Sequence, residues 1–185
     1  MHKIKCTLIA AATAVASAVA FVAGCTPDDD ALIAAASTAG NLGLSAWFAI
    51  DDPDPKVKAT LKDVVTMIGD SASTVGAGAS YVDALTPAIQ EFVARREGLT
   101  AAQKNLINVG SLVALGALDT FMASHKDIQD NAEKVSKVVA AFCSGCRTAI
   151  ARSEDAAAAK ALKKAHEAIG MKYDATAKAF ALPAK

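Results

Sequence analysis

Apolar residues recur at helical spacing along most of this 185-residue chain. After Pro55 they return every three or four positions, which is the repeat of one face of an α-helix. No stretch alternates convincingly between apolar and polar residues, as half-buried strands do. The pattern predicts an all-α fold, a small bundle of five or six helices, in a single domain over residues 31–185. The best-defined stripe consists of Val57, Leu61, Val64, Val65 and Ile68.

Local signals divide the first half of this pattern into helices. Residues 31–50 are uncharged and contain the single tryptophan, Trp47, which favours a helix buried in the core. Asp54 and Pro55 suit the N-cap and the first turn of the next helix. The Gly/Ser-rich residues 69–80 allow either a loop or a continuation of that helix, and the unbroken apolar register favours the longer helix.

Two more helices follow from capping signals. Thr86–Pro87 predicts the start of a short helix by the same N-cap and first-turn logic, and Gly98 is suited to ending it. Thr100 and Gln103 form the pattern of a capping box, in which two side chains satisfy free amides at a helix start. The helix that this box opens is predicted to run to about Ser124.

The last third of the chain is predicted to form two helices. The first begins around Asp127, and its apolar residues keep helical spacing through Ala149. Ser153 is interpreted as the cap of a final helix, which Pro183 ends. One face of that final helix carries Leu162, Ala165, Ile169, Tyr173, Thr176 and Phe180.

The two halves of the chain share an order of features. Segment 31–68 contains Ala39–Gly40, a polar break and then an amphipathic helix, and segment 101–142 contains Val109–Gly110 followed by a similar order. A duplicated helical hairpin explains this similarity, and so does chance in a chain so rich in alanine.

The N-terminus has the organisation of a secretory signal. It begins with basic residues, Lys3 and Lys5, and residues 7–24 carry no charge and are rich in Ala and Val. A basic start and an apolar segment that ends in small residues are typical of a leader removed on export. We therefore predict a cleaved signal peptide over residues 1–24 and a short acidic tether over residues 25–30.

The end of this leader, Val22-Ala23-Gly24-Cys25, resembles the lipobox of bacterial lipoproteins: a branched apolar residue, two small residues and a cysteine. The resemblance implies cleavage before Cys25, diacylglycerol on the Cys25 sulfur and acylation of the new amine. The residue after Cys25 is Thr26 and not Asp. Under the sorting rule of enteric lipoproteins, this implies export to the outer membrane. The expected partner is therefore the membrane, bound through lipidated Cys25 at the periplasmic face.

Other interpretations of the leader stay open. Residues 7–24 reach the lower length limit for a transmembrane helix, so the segment could be an uncleaved span. Cleavage could also be of the ordinary kind, with no lipid on Cys25. In a third alternative the chain is a small membrane protein with two spans, at residues 7–24 and 31–50.

Charge and composition argue against a nucleic-acid partner. The chain has 19 basic and 19 acidic residues, and removal of Lys3 and Lys5 with the leader leaves a slight acidic excess. Aromatic residues make up 5% of the chain, and no basic stripe is interleaved with them. Nucleic-acid binding modules need such a stripe, so none is predicted.

The one motif with possible chemistry is Cys143-Ser144-Gly145-Cys146. It is not a c-type haem site, because Arg147 stands where that motif requires His. The motif could be a redox-active dithiol, which gains reactivity at a helix N-terminus. It could also be half of a zinc site, which would need two further ligands; after removal of the leader, His125 and His166 are the imidazoles of the chain. The favoured interpretation is structural: a short-range disulfide or a buried thiol pair. Gly145 weakens the helix here by about 1 kcal/mol, which would allow a kink.

Catalytic motifs are absent from the sequence, which contains no GxSxG elbow, Walker loop or HExxH helix. His125 and His166 are predicted to lie at the surface. We therefore predict no enzyme, no metal and no cofactor, but an envelope lipoprotein that acts as a scaffold or as a binding module for an envelope partner. The alternative is a periplasmic thiol protein that uses Cys143 and Cys146 for disulfide exchange or metal capture.

Overall fold

The computed structural model describes residues 28–75, 79–125 and 128–168, together with 172–174 and 179–181. The lipobox and the rest of the predicted signal peptide lie outside the described residues. The described part confirms the all-α bundle. Its five α-helices are α1 (Asp29–Asp51), α2 (Pro55–Asp70), α3 (Tyr81–Arg95), α4 (Ala101–Ser124) and α5 (Ala132–Ala168), with a 3-10 turn at Ser71–Ser73.

The chain divides into two compact units between Ile150 and Ala151. The first unit holds α1 to α4 and the first half of α5. The second holds the rest of α5 and a small antiparallel pair of strands, β1 (Lys172–Asp174) and β2 (Ala179–Ala181), in which Tyr173 lies opposite Phe180.

Helix α4 is the centre of the first unit, since α1, α2 and α3 all pack against it. Its buried residues include the predicted Ile107, Leu118 and Phe121, and Trp47 of α1 is fully buried as predicted. By length and composition α1 and α4 could each cross a membrane, and core helices of soluble bundles often meet the same two criteria. Their apolar character is accounted for here by the core that they build.

Two helix starts agree with the sequence prediction because their caps are local. The Asp54 carboxylate accepts from the amides of Lys56 and Val57, and Pro55 occupies the first turn of α2. Thr100 and Gln103 exchange both bonds of the capping box at the start of α4. Each of these caps joins residues at most three positions apart, which is why the sequence alone reveals them.

The start of α1 corrects the predicted tether. Asp28 is the N-cap, and its side chain accepts from the amide of Ala31 at 2.8 Å, while Asp29 and Asp30 lie in the first turn. Acidic side chains are stabilised at a helix N-terminus, where the free amides carry partial positive charge. The predicted tether over residues 25–30 is therefore wrong for residues 28–30, which belong to the helix.

The start of α3 corrects two further predictions. Helix α2 ends at Asp70 and does not continue through residues 69–80, and Pro87 lies inside α3 instead of at its start. Ser80 caps α3 by accepting from the amide of Asp83 at 3.1 Å. The signal at Thr86–Pro87 was misleading because the true start is held by a residue from another helix.

That residue is Asp119 of α4, which forms a tertiary cap. Its carboxylate accepts from the Ser80 hydroxyl at 2.6 Å, the Tyr81 amide at 2.6 Å and the Val82 amide at 3.2 Å. One side chain thus satisfies two of the free amides that every helix leaves at its first turn. This contact fixes α3 to α4.

Helix α5 corrects the end of the prediction. It begins after Asn131, whose side chain accepts from the amides of Glu133 and Lys134, and it passes Ser153 without a break. No Gly or Pro interrupts residues 147–168, and alanine, the strongest helix former, is abundant there. The final-helix face is also wrong at Tyr173 and Phe180, which lie in the strands; Ile169 and Thr176 lie outside the described residues.

The proposed hairpin repeat stays a prediction. Segment 31–68 contains most of α1 and α2, and segment 101–142 contains α4 and the start of α5.

Candidate functional site

The predicted chemical motif lies where α5 crosses α1, and two glycines make that crossing. A Cβ atom on Gly40 would lie 2.2 Å from the carbonyl oxygen of Phe142. A Cβ atom on Gly145 would lie 1.8 Å from the carbonyl oxygen of Ser37 and 2.9 Å from the amide nitrogen of Asn41. Backbone therefore packs directly on backbone, and only glycine fits at either position.

The two helices run in the same direction through this contact. Near both N-termini the Lys134 ammonium lies 2.7 Å from the Asp29 carboxylate. Further along both helices, Cys146 contacts Gly40. Gly145 therefore lies at a close contact between two parallel helices, and its lack of a side chain makes room for the backbone of α1.

Cys143 and Cys146 are both free thiols in the structure and both are about 1% exposed. The Cys146 thiol donates to the carbonyl oxygen of Gly40 at 3.5 Å. Cys143 faces α2 instead, since a Cβ on Gly69 would lie 3.6 Å from its sulfur. The pair is thus buried, in agreement with one of the structural interpretations of the sequence, and the two sulfurs face different helices.

Burial controls the protonation of the two thiols. Burial raises the pKa of Cys143 to about 11, with Arg147 opposing the shift and Asp70 adding to it. Burial also raises the pKa of Cys146 well above its usual range; Cys143 adds to this shift and Arg147 opposes it. Both groups are therefore protonated near neutral pH. Since the thiolate is the nucleophile and the metal ligand, neither sulfur is activated in the folded bundle.

Tyr81 brings a third buried polar group from α3. Its hydroxyl has no hydrogen-bond partner among the described residues. Burial raises the pKa of Tyr81, and the nearby Asp119 and Cys143 raise it further. The electrostatic influence of Cys143 on the phenol indicates that the two groups are neighbours, and sequence reasoning could not anticipate this proximity.

His125 is buried, so the prediction that it lies at the surface is wrong. Its Nδ1 lies 2.9 Å from the carbonyl oxygen of Phe121, and its ring stacks on the Phe121 ring at 4.4 Å between centroids. It occupies the C-cap position of α4, where it contacts a carbonyl at the end of that helix. The side chain of His166 lies outside the described ones.

Among the described residues, His125 does not join Cys143 and Cys146 in a metal centre. Within the part of the chain that the structure describes, no three His, Cys, Asp or Glu side chains are grouped so that they could hold a metal ion. Cys143 and Cys146 lie in the α5 crossing, whereas His125 belongs to the end of α4.

Lys58 is a buried cation that sequence reasoning missed. It is 2% exposed, its Nζ lies 5.8 Å from the centre of the Phe48 ring, and it is 3.6 Å from the Asp52 carboxylate. Its position beside Val57 and Leu61 on the apolar face of α2 was the available signal. The contacts join the start of α2 to the end of α1, so we interpret Lys58 as structural.

A shallow groove lies along α3. It is lined by Ala88, Glu91, Phe92, Arg95 and Arg96. The Arg96 guanidinium lies over the Phe92 ring at 4.5 Å and pairs with Asp63 of α2, and Arg95 pairs with Glu91. Because both arginines have carboxylate partners, the groove has no strong net charge of either sign.

The chain matches no protein-family model, no curated protein and no solved structure.

Proposed function

We propose that the protein is a lipid-anchored envelope protein whose helical bundle acts as a non-enzymatic scaffold or binding module at the periplasmic face of the outer membrane. The observation that carries this proposal is the short stretch between Cys25 and the first helix. Helix α1 begins at Asp29 and is capped by Asp28, so residues 26–28 alone separate it from the lipobox cysteine.

This stretch limits how far the bundle can lie from the bilayer. An extended chain covers at most about 3.5 Å per residue, so Asp29 lies within roughly 14 Å of Cys25. The start of α5 would share this position, because Lys134 pairs with Asp29. A diacylglycerol with a further acyl chain makes attachment long-lived, whereas a single chain binds only marginally.

The state of the cysteines supports a scaffold over the alternative of a thiol protein. Disulfide exchange and metal capture both need a thiolate. Cys143 and Cys146 are buried and keep their protons near neutral pH, for the reasons given above. Neither lies in the first turn of a helix, where the helix dipole would stabilise a thiolate.

Replacing one cysteine tests the anchor. A Cys25→Ser variant should keep residues 1–24 and carry no lipid, whereas the parent should begin at Cys25 and carry the mass of its acyl groups. Intact-mass analysis of protein extracted from membranes measures both properties. Cys6→Ser is the matched control, because it removes a thiol from the leader and should process normally.

The same measurement separates the remaining alternatives. A parent protein that retains residues 1–24 would support the two-span interpretation and overturn the proposal. Normal maturation and unchanged membrane partition of Cys25→Ser would also contradict it. Ordinary cleavage with an unmodified Cys25 would leave a soluble domain and remove the basis for membrane attachment.

A further inference from the structure

We propose that Cys143 and Cys146 form a redox-sensitive joint of the bundle: as free thiols they complete the packing of α1 and α2 against α5, and conversion to a disulfide loosens that packing. Each sulfur contacts a different neighbour, Gly40 of α1 for Cys146 and the Gly69 region of α2 for Cys143. A bond between the sulfurs therefore disturbs two helix contacts together. The proposal does not depend on the lipid anchor.

Helix geometry opposes the disulfide. Side chains three positions apart in a regular α-helix have Cβ atoms about 5–6 Å apart. A disulfide brings its two Cβ atoms to about 3.5–4.5 Å. The turn that contains both cysteines must therefore contract by roughly 1–2 Å or change its twist before the bond can close.

The close contact with α1 prevents this turn from contracting or twisting freely. Gly145 lies between the cysteines, and its backbone rests on Ser37 and Asn41 of α1 so closely that even a methyl group would overlap them. Phe142, just before the pair, makes the equivalent contact with Gly40. Contraction of the turn shifts these backbone atoms against α1. Formation of the disulfide also removes the thiol hydrogen that Cys146 donates to the carbonyl oxygen of Gly40.

The oxidation is a balanced exchange with a small disulfide such as oxidised glutathione. One cysteine thiolate attacks the oxidant and releases one thiol, and the second thiolate then displaces the other. The protein loses two S–H bonds and gains one S–S bond, while the oxidant takes up two electrons and two protons and becomes two thiols. Burial and the raised pKa of both cysteines oppose the first step in the closed bundle.

Folding and redox state are therefore coupled. The closed bundle protects the thiols from oxidant, and a disulfide formed in an opened molecule hinders closing. We expect the folded protein to stay reduced in the presence of a disulfide oxidant at least about tenfold longer than the denatured chain, because each pKa unit lowers the thiolate fraction tenfold.

The experiment compares the two redox states of the full chain, purified in mild detergent. The chain is oxidised with oxidised glutathione in urea, returned to native conditions and unfolded again with urea while the helical far-UV signal is followed. Trypsin should release Val138–Arg147, which holds both cysteines and neither Cys6 nor Cys25. An internal disulfide in this peptide appears as the loss of two hydrogen atoms.

We expect the oxidised protein to unfold at lower urea than the reduced protein, and dithiothreitol to restore the original midpoint. The control is the double variant Cys143→Ala, Cys146→Ala, which leaves Cys25 and the rest of the sequence in place; oxidant should leave its midpoint unchanged. Complete loss of helix on oxidation also supports the joint, provided that dithiothreitol reverses it and the double variant keeps its helix.

An oxidised protein that is as stable as the reduced one, or more stable, overturns the proposal and makes the pair an ordinary structural disulfide. A loss of helix that the reductant does not reverse, or that the double variant shares, also overturns it, because the oxidant would then act elsewhere. Rapid oxidation of the folded chain without a change in its urea unfolding midpoint would also contradict the proposal.

Discussion

Helix α5 packs against α1 at two glycines, which have no side chain, whereas α4 holds the start of α3 with the charged side chain of Asp119. At the first contact Gly40 and Gly145 allow backbone to touch backbone. At the second, the Asp119 carboxylate reaches the Ser80 hydroxyl and two amides of α3. Both contacts join helices that are distant in sequence.

The two contacts differ in what they tolerate. A close backbone contact leaves no flexible atom to move, so any added atom must push whole helices apart. A hydrogen-bonded cap can lose its acceptor and leave its amides unpaired without forcing the helices apart. We therefore expect substitutions at the glycines to cost more than removal of the carboxylate.

The largest effect should come from Gly145→Ala, which we expect to lower the free energy of unfolding by about 3 kcal/mol or more, because the new methyl group would overlap the Ser37 carbonyl. Urea unfolding followed by far-UV circular dichroism measures the change. Gly116→Ala is the control: nothing lies within 4 Å of its new Cβ, so it should gain up to about 1 kcal/mol. Equal stability of the two variants would refute the close crossing.

Alkaline pH should weaken the cysteine side of this crossing. Unfolded cysteine loses its proton near its ordinary pKa of 9.0, whereas burial raises the pKa of folded Cys143 to about 11. Between these values the folded state holds more protons than the unfolded one, so stability falls as pH rises, by up to about 1.4 kcal/mol per pH unit for each thiol. Urea midpoints measured from pH 8 to about 11 should fall more steeply for the parent than for the Cys143→Ala, Cys146→Ala variant. Parallel curves would count against buried thiols.

Removal of the tertiary cap should have an intermediate effect. Asp119→Ala should lower the free energy of unfolding by about 1–3 kcal/mol, because it leaves the Tyr81 and Val82 amides without their acceptor. Asp63→Ala is the matched control, since this carboxylate is about half exposed and pairs with Arg96 at the surface, so about 0–1 kcal/mol is expected. The comparison would fail if the two changes were equally costly in the same unfolding experiment.

The smallest effect should come from an exposed ion pair on α3. Arg95 and Glu91 pair across one helical turn, with side chains 78% and 63% exposed. Arg95→Ala should cost about 0.3–0.5 kcal/mol at low salt and almost nothing at about 1 M salt, where such charges are screened. A larger, salt-insensitive loss would assign Arg95 a packing role that its exposure does not suggest.

Sequence reasoning succeeded where the stabilising partner is close in the chain. The caps at Asp54 and Thr100 and the apolar stripe from Val57 to Ile68 were predicted correctly. It failed where the partner is distant. The start of α3 depends on Asp119, some forty positions away, so Thr86–Pro87 gave the stronger local signal and misplaced the helix.

The candidate site shows the same division. The cysteine motif and the helix-weakening Gly145 were evident from the sequence, and a buried thiol pair was one of the two structural interpretations that it favoured. The sequence could not show that α1 fills the space left at Gly145, that Cys146 donates to Gly40, or that the Tyr81 phenol lies near Cys143. It also placed His125 at the surface, because the stacking on Phe121 depends on how α4 ends.

The sequence by itself determined that this protein is an all-α bundle, where α2 and α4 begin and which apolar face α2 buries, because helical periodicity and caps act within a few residues. It also supplied the prediction of an anchor at Cys25. Only the tertiary structure decided that two glycines form the contact of α1 with α5 and that Asp119 starts α3. Those decisions depend on which distant segments come within a few ångströms of each other, and no local preference encodes that distance.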